Sequence, residues 1–560
     1  MSQENVSRVA STLQANDAVA EKSSIAEPRP SRGLRFWLII FSICISCFLS
    51  ALEYTAVSTA LPTILHDLHG DDFVWVASAY ALAATALLPA SGGLAQIFGR
   101  RPMMLGSLAV FALGSALCGS AQNINWLIAA RTIQGAGGGG LLSLTSIILS
   151  DMVTLKERAM YNALIGLTWA VACAIGPLVG GALTEAGQWR WLFYLNLPVC
   201  GVAAFFVAVF LKLRTPSGTL REKLDRMDWI GNLIITGSTS ACILALAWGG
   251  VRYPWSSGNV LAPLIVGVAG IGFFFLYEAK WAKEPLVPFQ LISNRTSLSG
   301  YLQTFLAPVV MSSVIYYLPI YAQACKGAGP LRSGVDVLGL SASTAPVLVL
   351  TGVSIAVSKA YRPQLWLGWA MYMVGMGALT TLHADANTGK LIGFPVLIGV
   401  GVGTLLSGTY FPVLAPLPAS ENAHALAFFA FCRSFANVWG VSIGTAVLQT
   451  QLSQRLPSSF TDEFPQGVAI AYQIIPVIPQ LQDPTRSDVR EAFARSLIVL
   501  WQVMIGIAGL GLLTSLFMKA LPLHTQRDEQ WALQEGGGSE SDEKDKDEKR
   551  SGDIVGVAEA

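Results

Sequence analysis

The chain has 560 residues, 53% of them hydrophobic and only 13% charged, with a formal net charge of +1. A soluble protein carries about a quarter charged residues to keep its surface wetted, so an ordinary soluble fold is excluded. The near-zero net charge also removes the basic surface that nucleic acid would require of a partner.

In chain order, residues 1–35 are polar and mixed in charge and read as a disordered cytoplasmic tail. The first apolar run, Phe36 to Ala51, lacks a leader-type cleavage site and is expected to stay in place as a signal anchor. A bilayer core about 30 Å thick takes about 20 apolar residues per helical span. Apolar runs cut at polar or Pro/Gly punctuation predict fourteen spans, at 36–57, 74–95, 103–121, 125–150, 160–183, 192–212, 229–249, 260–279, 299–322, 335–357, 365–382, 391–413, 425–449 and 496–520. One set of loops carries Arg100 and Arg101, Lys156 and Arg158, five cations from Lys212 to Arg226, then Lys280, Lys283, Arg295, Lys359 and Arg362. The alternate loops carry only Arg190, Arg252, Lys326, Arg332 and Lys390. The first set is therefore expected to face the cytoplasm, together with both termini. Gln451 to Arg495 reads as a long outward loop rich in proline, and 523–560 as a disordered cytoplasmic tail with candidate phosphosites at Ser539 and Ser541.

Enzyme signatures are absent: there is no P-loop, no H-E-x-x-H and no G-x-S-x-G, so neither ATP hydrolysis nor a cofactor is expected. His66 and His69 stand beside Asp67, Asp71 and Asp72, but this reads as a solvated loop, and no metal is expected. The eight cysteines fall almost entirely in apolar runs and read as small buried hydrophobes, the Cys44-x-x-Cys47 spacing included.

Charges inside apolar helices need a partner or a task, because a bare charge in the bilayer costs several kcal/mol. Glu53, in the outer half of the first span, and Arg131, in the outer part of the fourth, match in depth on antiparallel helices. They are expected to pair, either as a structural salt bridge or as a switch in which a buried carboxylate gains a proton when its cation moves away. Arg433 lies within Phe428-Phe-Ala-Phe-Cys-Arg433, either paired structurally or facing a cavity and an anionic or carbonyl-rich substrate. Glycines crowd the fourth span (Gly135, Gly137, Gly138, Gly139, Gly140) and the fifth (Gly166, Gly176, Gly180, Gly181, with Pro177), where small residues let helices approach and slide.

These residues resemble motifs of the major facilitator superfamily. Gly93-Leu-Ala-Gln96-Ile-Phe-Gly99-Arg100-Arg101-Pro102 is similar to its signature loop, Arg131-Thr-Ile-Gln134-Gly135 to its fourth-helix motif, and Gly176-Pro177-Leu-Val-Gly180-Gly181 to its antiporter motif. Leu52-Glu53 to Leu61-Pro62, Trp189 to Pro198 and Tyr317 to Gln323 resemble the fourteen-helix drug:proton antiporter branch, and the likeness covers about 36–520. It implies an all-α integral membrane fold: a six-helix bundle at 36–212, two inserted helices at 213–280 and a second bundle at 281–522, with alternating access. Two positions depart from the pattern. Gln96 replaces an acid, which removes an ion pair from the cytoplasmic latch, and Glu53 replaces an aspartate.

The resemblance implies a proton-coupled antiporter exporting moderately apolar organic compounds, such as secondary metabolites, toxins or drugs. It is expected in the plasma membrane, or alternatively the vacuolar one, working as a single chain. A proton-coupled importer of the same fold is the alternative. Glu53 and Arg131 would carry the coupling. Gln134, Trp169, Gln303, Tyr316, Tyr317, Gln323, Tyr410, Phe428, Phe429, Arg433 and Asn437 would line the cavity, and Gly93, Gln96, Gly99, Arg100, Arg101, Gly135, Gly176, Pro177, Gly180 and Gly181 would serve conformational change.

Overall fold

The computed structural model describes residues 33–522, apart from 69–72, 154, 213–227, 250–252, 284, 337, 419–420, 458–474 and 476–477. The tails predicted at 1–35 and 523–560 lie outside the described residues, save residues 33–35, as do Ser539, Ser541, His69, Asp71 and Asp72. Among the described residues there are helices and no strands.

The helices are α1 (Leu34–Leu68), α2 (Phe73–Phe98), α3 (Arg100–Gly119), α4 (Ile124–Met152) and α5 (Leu155–Glu185). A short turn, Trp191–Tyr194, leads into α6 (Asn196–Phe210). Then come α7 (Trp229–Trp248), α8 (Gly258–Lys280) and α9 (Arg295–Lys326). The short helix Pro330–Asp336 precedes α10 (Leu338–Ser358), α11 (Arg362–Leu379) and α12 (Thr388–Gly408). The turn Tyr410–Leu414 separates α12 from α13 (Asn422–Arg455), and α14 (Thr485–Leu516) closes the set.

Apolar composition makes these helices and polar caps start them. Asn123 accepts a hydrogen bond from the Trp126 amide at 2.8 Å, and Asp228 from that of Gly231 at 2.9 Å. Asn294 and Asn387 do the same for Thr296 and Gly389, both at 2.9 Å. Each satisfies an orphan donor of the first turn. Gly99, at φ 94°, makes the corner between α2 and α3, a backbone geometry that favours glycine.

Among the described residues twelve helices are long and apolar enough to cross a membrane, or thirteen when the two arms of α2, bent by 54° between Leu88 and Ala90, count as one span. The bend falls at Pro89, which has no amide hydrogen for the helical ladder. The remaining expected span, 365–382, is α11, whose 18 residues reach about 27 Å. Large apolar side chains such as Phe205, Ile265, Val266 and Leu350 are exposed, as a lipid-facing surface requires.

The expected outer loop at 451–495 is shorter than the sequence suggests, because α13 runs on to Arg455 and α14 begins at Thr485. Polar residues continue those helices. Near the start of α14, Arg486 pairs with Asp483 at 2.8 Å and Arg495 with Glu491 at 2.7 Å, spacings that support a helix outside lipid. For the same reason α1 passes the expected limit at 57 and reaches Leu68.

Packing divides the helices into two bundles with matching contacts. In the first, α1 packs on α5 and α6, α4 on α2 and α3, and α3 on α6. In the second, α9 packs on α13 and α14, α12 on α10 and α11, and α11 on α14: the same pairings, eight helices later. The bundles meet where α2 lies against α13 and α5 against α10, which are again equivalent contacts. Gly176 of α5 abuts Thr55 of α1, and its echo Gly440 of α13 abuts Ser312 and the Val309 carbonyl of α9. The inserted α7 and α8 pack on each other, with α7 also against α2 and α13.

Candidate functional site

Glu53 and Arg131 are both almost fully buried, and Glu53 Oε1 pairs with Arg131 Nη1, joining α1 to α4. The guanidinium has further partners. Nη1 donates to Gln134 Oε1 at 2.6 Å, Nε donates to the Val76 carbonyl at 3.1 Å, and the Tyr80 ring lies 4.6 Å below. The second carboxylate oxygen of Glu53 accepts from Asn196 Nδ2 at 2.7 Å, which brings α6 into the cluster. Gln134 Nε2 donates to Ser115 Oγ at 2.8 Å, adding α3. Four helices of one bundle thus converge on a single ion pair.

Asn196 stands in a motif noted above, yet its role as a ligand of the carboxylate is not readable from it. The available signal was an amide placed inside an otherwise apolar run.

Glycine permits this convergence. A Cβ on Gly135 or Gly139 would meet the backbone carbonyls of Tyr80 and Ala84, and one on Gly137 would meet the Phe111 amide nitrogen. The backbones of α2, α3 and α4 lie too close for any side chain at these three positions.

At the basic end, Arg100 Nε pairs with Asp151 at 2.8 Å, both groups buried, and Arg101 donates to the Ala208 carbonyl. Gln96 lies 3.4 Å from His424 Nδ1, so α2 and α13 touch across the two bundles through an amide and an imidazole. The same nitrogen stands 3.5 Å from Glu421 Oε2. His424, as hydrogen-bonding partner, holds the half-buried Glu421 carboxyl below its usual range. Gly93 faces Leu286 of the segment between α8 and α9. Gly180 accepts from Thr184 Oγ1 at 2.6 Å, Gly181 is half-buried, and the side chain of Pro177 lies outside the described residues.

A recess of about 320 Å³ opens between α9, α11, α12 and α13, lined by Thr304, Pro308, Met311, Tyr372, Phe429 and Arg433 among others. Phe429 and Arg433 are the residues expected at a cavity that line it. Most other expected lining residues make helix-to-helix contacts instead. Gln134 belongs to the ion-pair cluster. Gln303 accepts from Trp369 Nε1 at 3.0 Å, and Tyr317 donates to the Val441 carbonyl at 2.8 Å. Gln323 donates to Ser333 at 2.9 Å. Trp169 packs with Phe48 and Cys173 between α1 and α5, while Tyr410 and Phe428 join an aromatic cluster with Phe429, Phe431 and Tyr301. Tyr316 and Asn437 are half-buried and do not line the recess. Amides and phenols inside a bundle need partners, and a neighbouring helix supplies them as readily as a substrate does.

Among the described residues no group of histidines, cysteines and carboxylates could hold a metal, and all eight cysteines are free.

The profile of the Major Facilitator Superfamily matches residues 43–441. "Efflux pump FUS6" of Gibberella fujikuroi is 38% identical over 527 residues, covering 92% of this chain and 95% of that protein. "MFS-type efflux pump LUC4" of a Fusarium species is 38% identical, covering 93% and 94%. "MFS efflux transporter aclA" of Aspergillus oryzae is 36% identical, covering 94% and 96%. Among solved structures the human organic anion transporter MFSD10 shares the fold at a TM-score of 0.53 and 14% identity, covering 85% of this chain and all of that one. With its paired bundles, buried ion pair and glycine-lined crossings, this multi-pass membrane chain belongs to the major facilitator superfamily of transporters.

Proposed function

We propose that this protein exports moderately apolar organic compounds, of the secondary-metabolite, toxin or drug type, across the plasma membrane in exchange for protons. Export is supported by the printed roles of relatives that match nearly the whole chain. The observation that carries the coupling is the buried Glu53–Arg131 pair, which bridges α1 and α4 and has no water-exposed face.

A proton arriving at Glu53 from outside neutralises the carboxylate and ends its attraction for Arg131. The guanidinium keeps acceptors in Gln134 and the Val76 carbonyl and keeps the face of Tyr80. Asn196 still holds the second oxygen of Glu53. Neither partner is stranded, so the exchange avoids the penalty of an orphaned buried charge. The link between α1 and α4 loosens, and this is a step the rocking of one bundle against the other can use.

The test begins with a deletion strain, comparing metabolites inside cells and in the medium by mass spectrometry. A compound that rises in cells and falls in medium becomes the probe. Proteoliposomes holding the purified chain are then given an inward proton gradient. Wild type is expected to drive that probe against the proton flow and Glu53→Gln to lose the drive. Full gradient-driven transport by Glu53→Gln overturns the coupling. An external compound left in the medium of the deletion strain overturns export in favour of uptake.

A further inference from the structure

Every deeply buried arginine of the membrane region has its charge met by named groups except one. Arg131 has Glu53, Arg100 has Asp151, and Arg158 donates to the carbonyls of Val153 and Ser150. Among the described residues Arg433 has neither an ion pair nor a hydrogen bond. The groups that act on it electrostatically are the Cys47 thiol on α1 and the Cys173 thiol on α5, both of the other bundle. Thiols in an apolar helix interface are neutral and supply no counter-charge.

Arg433 also forms part of the wall of the recess described above. It lies eleven positions beyond the start of α13. That is about 16 Å along the helix, close to the middle of a core about 30 Å thick. A cation at the midplane, between the two bundles and beside an open apolar space, is where an alternating-access carrier can meet its cargo from either side.

The other polar groups there cannot answer an anion. The hydroxyl hydrogens of Thr304 and Thr409 go to the Gly300 and Leu405 carbonyls at 2.7 and 2.9 Å, and Tyr372 donates to the Ala307 carbonyl at 3.2 Å. The donors facing the space are therefore those of the guanidinium, whose planar fork matches a carboxylate in two parallel hydrogen bonds. The walls of Pro308, Met311 and Phe429 suit an apolar or aromatic body.

We propose that Arg433 is a carboxylate-binding residue of the central site, and that the cargo is a monoanionic organic acid with an apolar body. This rests on the export reading for its physiological meaning, though not for its test. Arg433 without cargo is a strained resting charge, and binding an acid gives it the counter-charge it lacks.

The test is equilibrium binding of two similarly shaped probes, 1-naphthaleneacetate and its neutral amide, to the purified full-length chain in detergent at neutral pH. Titration calorimetry is the readout, and size-exclusion chromatography checks each variant. Wild type is expected to bind the acid about tenfold or more tightly than the amide. Arg433→Gln is expected to remove that preference while leaving amide affinity unchanged, and Arg433→Lys to retain part of it. A wild type without preference for the acid overturns the proposal and needs no variant to do so. An acid preference that survives Arg433→Gln overturns it as well. Absent acid binding together with an export defect in the deletion strain would remove this proposal and leave the export reading standing.

Discussion

Single residues decide the chemistry, and the sequence exposes them unevenly. Glu53 and Arg131 stand out because charges are rare in apolar helices, and matched depth brings them together. The roles of Gln134, Gln303, Tyr317 and Gln323 did not follow, because a polar residue type does not reveal which way its side chain points. Gln303 and Tyr317 are partnered by Trp369 and Val441, 66 and 124 positions away. Glu421 illustrates a prediction at this scale. Its folded value lies below the ordinary 4.5 because of His424, so its ionised form stabilises the fold above that pH and the contribution is lost as pH falls through the folded value. Melting curves of the purified chain should show Glu421→Gln less stable than wild type at pH 7. That difference should narrow below pH 4.5 and close at lower pH. A difference independent of pH would assign Glu421 a purely packing role.

At the scale of elements, glycine clusters in a membrane helix mark crossings, and α4 is the case in point. The sequence shows five glycines from Gly135 to Gly140 but not the backbones they meet. Gly135, Gly137 and Gly139 touch the backbones of α2 and α3, which cannot retreat as a flexible side chain can. Gly135→Leu should therefore destabilise by at least about 1–3 kcal/mol. Gly201, on α6, has nothing within 4 Å of an added Cβ. Gly201→Ala should be neutral or stabilise by about 0.5–1 kcal/mol, since alanine loses less backbone entropy in a helix. Thermal melting in detergent compares the two, and an equal loss from both would dismiss close approach as the cause. The helix ends were less legible than the helices. Polar extensions such as Thr485 to Arg495 resemble loop until ion pairs spaced three and four residues apart hold them helical.

For the whole molecule, alternating access requires the bundles to part at one end and then at the other. At the basic end they touch through Gln96 and His424. Cysteines introduced at these two positions and joined by a short bis-maleimide should stop transport of the deletion-strain compound, while each single variant remains active. Full transport by the cross-linked chain would show that the bundles need not separate there. Gln96 removes an acid from the family's latch, and the contact that stands in its place is a neutral amide against an imidazole. Its strength therefore depends on the protonation state of His424.

The sequence by itself determined the membrane-spanning helices, their approximate number, the pairing of Glu53 with Arg131 and the family. Each follows from local composition, from periodic apolar length, or from motifs contiguous in the chain. Only the tertiary structure decided that Asn196, Ser115 and Val76 complete the charge cluster, that most polar candidates join helices together, and that Arg433 faces a recess without a counter-charge. Those facts depend on the rotation of each helix about its axis and on neighbours more than a hundred positions distant. Near-uniform hydrophobicity in a membrane helix erases the amphipathic stripe that would otherwise have shown which side faces inward.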